Sequence, residues 1–213
     1  MNFEEIACLS YSVIFSLGHN CLAASELRRS GLRMQAGPLD WLYAPDARGV
    51  MDLLTADFQD FFAKPNLEVT GINPESQCYM VVDRKYRMVS MHDFGVGKNS
   101  SDDLREWENV NHKLKLRSER MLTHMRTLPY MLFIRTDTTY EEAVELFSIL
   151  ERKTGGNATL LVINHAPGIQ TPTDLKCQTG RICMLQIPQV PDMFLDNRPA
   201  WDQIMGKLRT VNQ

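Results

Sequence analysis

Four short apolar runs constrain this chain more than any other feature. Val13 to Phe15, Tyr130 to Arg135, Thr159 to Ile163 and Arg181 to Ile187 are near-continuous stretches of β-branched, aliphatic and aromatic residues. Such runs predict strands covered on both faces. Helical spacing follows three of them. Ala23, Ala24 and Leu27 fall on one face and Gly31 ends that run. A charged pattern from Leu104 to about Thr127 predicts a long helix with its cap at Ser100 or Ser101. Ala143, Val144, Leu146, Phe147 and Leu150 line another helix from Tyr140 to Lys153, with Gly155-Gly156 as its stop. Pro199 precedes a last helix from Trp201 to Leu208. The expected class is therefore α/β, a mostly parallel mixed sheet flanked by helices in a three-layer, Rossmann-like arrangement.

The middle of the chain departs from this alternation. Asp46 to Phe62 predicts a helix and a turn. Cys78 to Val82 and Tyr86 to Met91 flank Asp83-Arg-Lys85 and predict a β-hairpin insertion with a charged tip. At 213 residues the chain is expected to form one domain, 1–213.

Composition removes several classes of function. A net charge of −3 gives no basic face for nucleic acid or an anionic membrane. No apolar stretch approaches a membrane-spanning length. The five cysteines (8, 21, 78, 177 and 183) form no disulfide framework and no zinc spacing, which suits a reducing cytoplasm. Neither a metal nor another cofactor is expected, and the expected partner is a small-molecule or peptide substrate.

The chemistry concentrates after the first strand. Ser16-Leu-Gly-His-Asn20 reads as a turn in which Gly18 supplies a positive φ and Asn20 or Ser16 a helix cap. Cys21 then stands at a helix N-terminus, whose partial positive charge favours a thiolate and an oxyanion alike. Gly37-Pro-Leu-Asp-Trp41 sets a carboxylate beside a large aromatic. His92, at the end of the hairpin's second arm, is followed by Asp93 and Gly95 and is the imidazole best placed for proton transfer. Each residue also has a plain structural reading: a buried thiol, a capping Asp, a core Trp, a strand terminus. In parallel sheets ligands bind beyond the carboxyl ends of the strands. Cys21, Arg135-Thr136-Asp137 and Asn164-His165 all fall just after strands.

Taken in order, Ser16-Leu-Gly-His-Asn-Cys21, Gly37-Pro-Leu-Asp-Trp41, His92-Asp-Phe94 and Leu132-Phe-Ile-Arg135 resemble a family of uncharacterised, mainly bacterial proteins classed as papain-like cysteine peptidases. The resemblance implies a Cys21 nucleophile, a His92 base, and Asp93 or Asp40 as the orienting acid. It also implies an alternative α+β papain-like fold. The sequence departs from papain itself, because Leu22 rather than Trp follows the cysteine and no Gln stands ahead of it for the oxyanion.

Two functions follow as expectations. The first is a cysteine-dependent hydrolase, a peptidase or a related acyl hydrolase or acyltransferase, with Gly18, His19, Asn20, Trp41 and Arg135 around the oxyanion and substrate. The second is a non-catalytic α/β domain in which the Gly18–Cys21 turn cradles a phosphate or carboxylate, with Arg135 adding charge.

Overall fold

The computed structural model describes residues 1–177 and 179–211. In chain order the elements are α1 (Phe3–Ala7), β1 (Ser10–Tyr11), β2 (Val13–Ser16), α2 (Leu22–Arg29), β3 (Leu42–Tyr43), α3 (Ala47–Thr55), β4 (Leu67–Asn73), β5 (Cys78–Asp83) and β6 (Met88–Ser90). There follow α4 (Trp107–Thr127), β7 (Met131–Thr136), α5 (Tyr140–Thr154), β8 (Ala158–Ala166), β9 (Thr173–Asp174), β10 (Ile182–Pro188), α6 (Arg198–Met205) and β11 (Arg209–Thr210).

The fold is mixed α/β with more than one sheet. The four apolar runs are β2, β7, β8 and β10, parallel and adjacent in that order, with the short β9 antiparallel at the far side. Phe15 lies beside Phe133, Phe133 beside Leu160, and Leu160 beside Ile182. This register gathers the carboxyl ends of β2, β7 and β8 along one edge.

Side-chain alternation along these strands divides the interior. Phe15, Phe133, Leu160, Val162 and Met184 join one core with Val50, Leu54, Met121 and Leu146 from α3, α4 and α5. Ile14, Leu132, Ile134, Leu161, Ile163 and Leu185 join another with Ile6, Leu22, Leu27 and Trp201 from α1, α2 and α6. Each such buried side chain contributes about 1.5–3 kcal/mol against exposure.

The hairpin insertion is part of an antiparallel sheet in the order β3-β6-β5-β4. Asp83 organises its tip, accepting the Phe62 N–H at 2.7 Å and the Lys85 N–H at 2.9 Å. β3 pairs with β6, so the Trp41 segment and the hairpin are one unit.

Several boundaries differ from the sequence expectation. α4 begins at Trp107 because the polar segment before it bonds to itself: Asp103 N–H donates to Ser100 Oγ and Asn99 pairs with Glu106. α6 begins at Arg198, with Pro199 inside its first turn, where proline's missing N–H costs no bond. β8 runs on to Ala166 because β10 pairs with it that far.

Gly49 lies inside α3 against the hairpin, where an added Cβ would sit 2.2 Å from the Tyr86 carbonyl oxygen. Alanine favours a helix interior by about 1 kcal/mol over glycine, but here it meets backbone that cannot rotate away. Gly49→Ala is expected to destabilise the protein by about 1–3 kcal/mol in urea unfolding; a stabilised variant would show that α3 and the hairpin do not pack so closely.

Candidate functional site

The turn after β2 is held by buried polar contacts. Gly18 and His19 both take positive φ, +77° and +74°. Leu17 N–H donates to Ile134 O at 2.8 Å, and Ala44 N–H donates to His19 O at 2.8 Å. Beneath the turn lies Arg135, fully buried, donating to Leu17 O at 2.9 Å, Ala44 O at 2.8 Å and Thr138 Oγ1 at 3.1 Å. Burial brings its guanidinium pKa down to about 10, still charged at neutral pH. Expected to add charge toward a ligand, Arg135 instead spends its donors on the protein and ties β7 to the turn and to the end of β3.

Cys21 is the N-cap residue of α2 and is partly exposed. No side chain caps the helix from that position; Asn20, one residue earlier, accepts the Leu22 N–H at 2.9 Å through Oδ1. The N–H groups of Ala23 and Ala24, in the first turn, have no acceptor among the described residues, and both residues are fully buried. The thiol departs from expectation. Burial pushes its pKa up, and its own backbone N–H draws it back only in part. The sulfur of the resting protein is therefore a thiol.

Asp137 is the centre of the carboxyl edge. It follows β7 directly, with φ at +49°. Asn164 of β8 fixes its loop, accepting Thr138 N–H at 3.0 Å and donating to Thr138 O at 2.8 Å. Asp137 accepts the His165 N–H at 3.0 Å, and His165 Nδ1 lies 3.0 Å from both its carboxylate oxygens. His19 Nδ1 lies 3.0 Å from Asp137 Oδ2 and 3.1 Å from Thr136 Oγ1. Burial alone would raise this carboxyl; hydrogen bonds from His165 and His19 outweigh it and hold Asp137 well below the usual carboxylate range. A bare Nδ1 lone pair so close to a carboxylate oxygen would be repelled. From these distances the proton of both rings is assigned to Nδ1, which leaves the lone pair on Nε2. His165 Nε2 is buried with no partner among the described residues, whereas the His19 side chain keeps about 20% of its surface exposed.

The remaining expected residues lie on the hairpin side. His92 is exposed and bonds to no described residue. Asp93 accepts Ser90 Oγ at 2.7 Å and pairs with Lys113, leaving His92 unheld. Asp40 is buried and accepts Arg33 Nε at 2.8 Å and Gly37 N–H at 2.9 Å. Its pKa is nevertheless raised by burial, against the pull of Arg33. Trp41 lies under the Arg33 guanidinium, 5.4 Å from its ring centre. Thus His19, Thr136, Asp137 and His165 meet at the carboxyl ends of β2, β7 and β8, and the acid between two imidazoles is the feature that sequence spacing did not disclose. Its signal was the occurrence of polar residues just past three neighbouring strands.

A sequence model of the family described as "Putative papain-like cysteine peptidase (DUF1796)" matches residues 12–168. The chain belongs to this family. The matched region runs from β2 through β8 and includes Cys21, His92, Asp137 and His165. No curated protein and no solved structure matches the chain. Among the described residues no helix is long and apolar enough to cross a membrane, and no group of three or more acidic, His or Cys side chains forms a metal site.

Two variants test the scaffold. Arg135→Met leaves three buried acceptors without donors and is expected to cost 3 kcal/mol or more, at about 1–3 kcal/mol per lost partner. Asp137 ionises more readily folded than unfolded, so its contribution is complete above the unfolded pKa of about 3.9 and is lost as pH falls below it. Between pH 5 and pH 3 the melting temperature of the parent is therefore expected to fall more steeply than that of Asp137→Asn.

Proposed function

We propose that this protein is a cysteine-dependent hydrolase in which Cys21 attacks a carbonyl and His19, steered by Asp137, carries the proton. The observation that carries this reading is the Asp137 contact to His19, two residues before Cys21 in the same turn. Family membership supports the reaction class.

The Cys21 thiol gives its proton to His19 Nε2 as sulfur bonds to the carbonyl carbon, and the carbonyl oxygen becomes an oxyanion. The N-terminal end of α2, where Cys21 stands, carries the partial positive charge that favours such an anion. The intermediate collapses, the bond to the leaving group breaks, and the imidazolium returns its proton to that group. Water then attacks the thioester with His19 again as base, releasing the acid and the thiol.

The competing assignment retains His92 as base, with Asp93 or Asp40 behind it. Its motif order supports it, and an exposed, unbonded ring is free to turn. The five unpaired cysteines favour a reducing cytoplasm, and the acidic pI of about 6.0 favours a substrate other than nucleic acid. The division of core residues between two faces of the parallel strands supports a three-layer, Rossmann-like reading of the α/β fold over a papain-like one, within a single domain.

Cys21 alkylation by iodoacetamide against pH separates these assignments. Wild type is expected to react at pH 6–7, and His19→Gln only on an alkaline limb above about pH 8.5, where an unassisted thiol ionises. The same loss in His92→Gln, with His19→Gln unaffected, would transfer the base to His92. Indifference to both would overturn the nucleophile.

A further inference from the structure

We infer that the cleft beside α2 is the substrate groove and that it selects a peptide carrying acidic side chains two to three residues from the attacked carbonyl. This rests on the reading of Cys21 as nucleophile. Cys21, Ser25 and Arg28 stand at positions i, i+4 and i+7, so they share one face of α2. Ser25 and Arg28 line a cavity of about 420 Å³ whose other walls include Trp41, Phe194 and Arg198. A larger cavity, of about 530 Å³ between α1 and α6, and a smaller one, of about 390 Å³ beside α4, share no lining residue with α2.

Both walls are tied to the catalytic turn. Trp41 precedes β3, whose neighbour Ala44 bonds to His19. Phe194 follows Met193, whose sulfur accepts Asn20 Nδ2 at 3.4 Å. The cleft therefore begins about one helical turn from the sulfur.

Its charge is unbalanced. Arg28, Arg29 and Arg198 face one carboxylate, Glu26, and that carboxylate is buried against Arg29, which also meets Asp202. Arg28 and Arg198 are exposed and form no ion pair among the described residues. The nearby Asp192 caps N–H groups of its own loop. Two aromatic rings and two unpaired guanidinium groups suit a flexible chain with carboxylate side chains. From Cys21 to Arg28 is about 10 Å along the helix at 1.5 Å per residue, the length of about three extended peptide residues.

The test uses the full chain and three matched reagents: iodoacetyl-Gly-Glu-Glu-amide, its Gln-Gln counterpart and its Lys-Lys counterpart, with the label located by mass spectrometry. At low salt the Glu reagent is expected to alkylate Cys21 about five- to tenfold faster than the Lys reagent, the size of one or two exposed charge pairs. In Arg28→Gln/Arg198→Gln the ratio should fall toward one while the Gln reagent keeps its rate. Equal rates for the three reagents in wild type, or a ratio unchanged in the double variant, would overturn the groove.

Anisotropy of a fluorescent Gly-Glu-Glu peptide on Cys21→Ser protein reads the groove without the chemistry. Binding that the two arginine substitutions abolish, found together with an unreactive Cys21, would uphold the groove and sink the hydrolase. A reactive Cys21 with no peptide binding would do the reverse.

Discussion

The candidate site depends on one carboxylate held between two imidazoles. Asp137 reaches both because three parallel strands end together: β2 leads to His19, β7 to Asp137 itself, and β8 carries His165. A shift of one residue in either pairing would turn those side chains to the other face. Arg135 and Asn164 guard against that shift from opposite sides, one binding the β2 turn and the other the β7 loop. The acid is thus a consequence of register, and register is a consequence of the apolar faces that each strand presents to its two cores.

Cys21 shows two physical effects in opposition. A helix N-terminus stabilises an anion by about 0.3–1 kcal/mol when exposed. Withdrawing the sulfur from water acts against it, and that withdrawal outweighs the hydrogen bond from the cysteine's own backbone N–H. Among the described residues no cation shifts that balance, and Arg135, the candidate from the sequence, spends its donors on Leu17, Ala44 and Thr138. On the proposed reading the nucleophile rests protonated and depends on its neighbour, which makes the tautomer of His19 the decisive variable.

Much of this was legible in the sequence. The four central strands, α5 with its Thr139 cap and Gly155 stop, and the charged hairpin were readable because hydrophobic period and turn chemistry agree there. The two-residue strands β1, β3, β9 and β11 carry too few residues to show a period. The pairing of His92 with Asp93 follows from adjacency along the chain, yet Lys113, twenty residues away, takes the carboxylate. The opposite held for Asp137, which is remote from both His19 and His165 in sequence and meets them only because strands far apart in the chain lie side by side. Adjacent-residue motifs overstate local partners and miss those that sheet topology supplies.

The most direct test of the central claim is the protonation of the two rings, read from long-range proton–nitrogen correlations of the histidine side chains. The account predicts that the neutral rings of His19 and His165 both carry the proton on Nδ1, and that Asp137→Ala releases His19 to the tautomer mixture of a free imidazole. A proton on Nε2 of His19 in the parent protein would contradict it, because the ring's lone pair would then sit on Nδ1, against the Asp137 carboxylate, and Nε2 could accept nothing from the thiol.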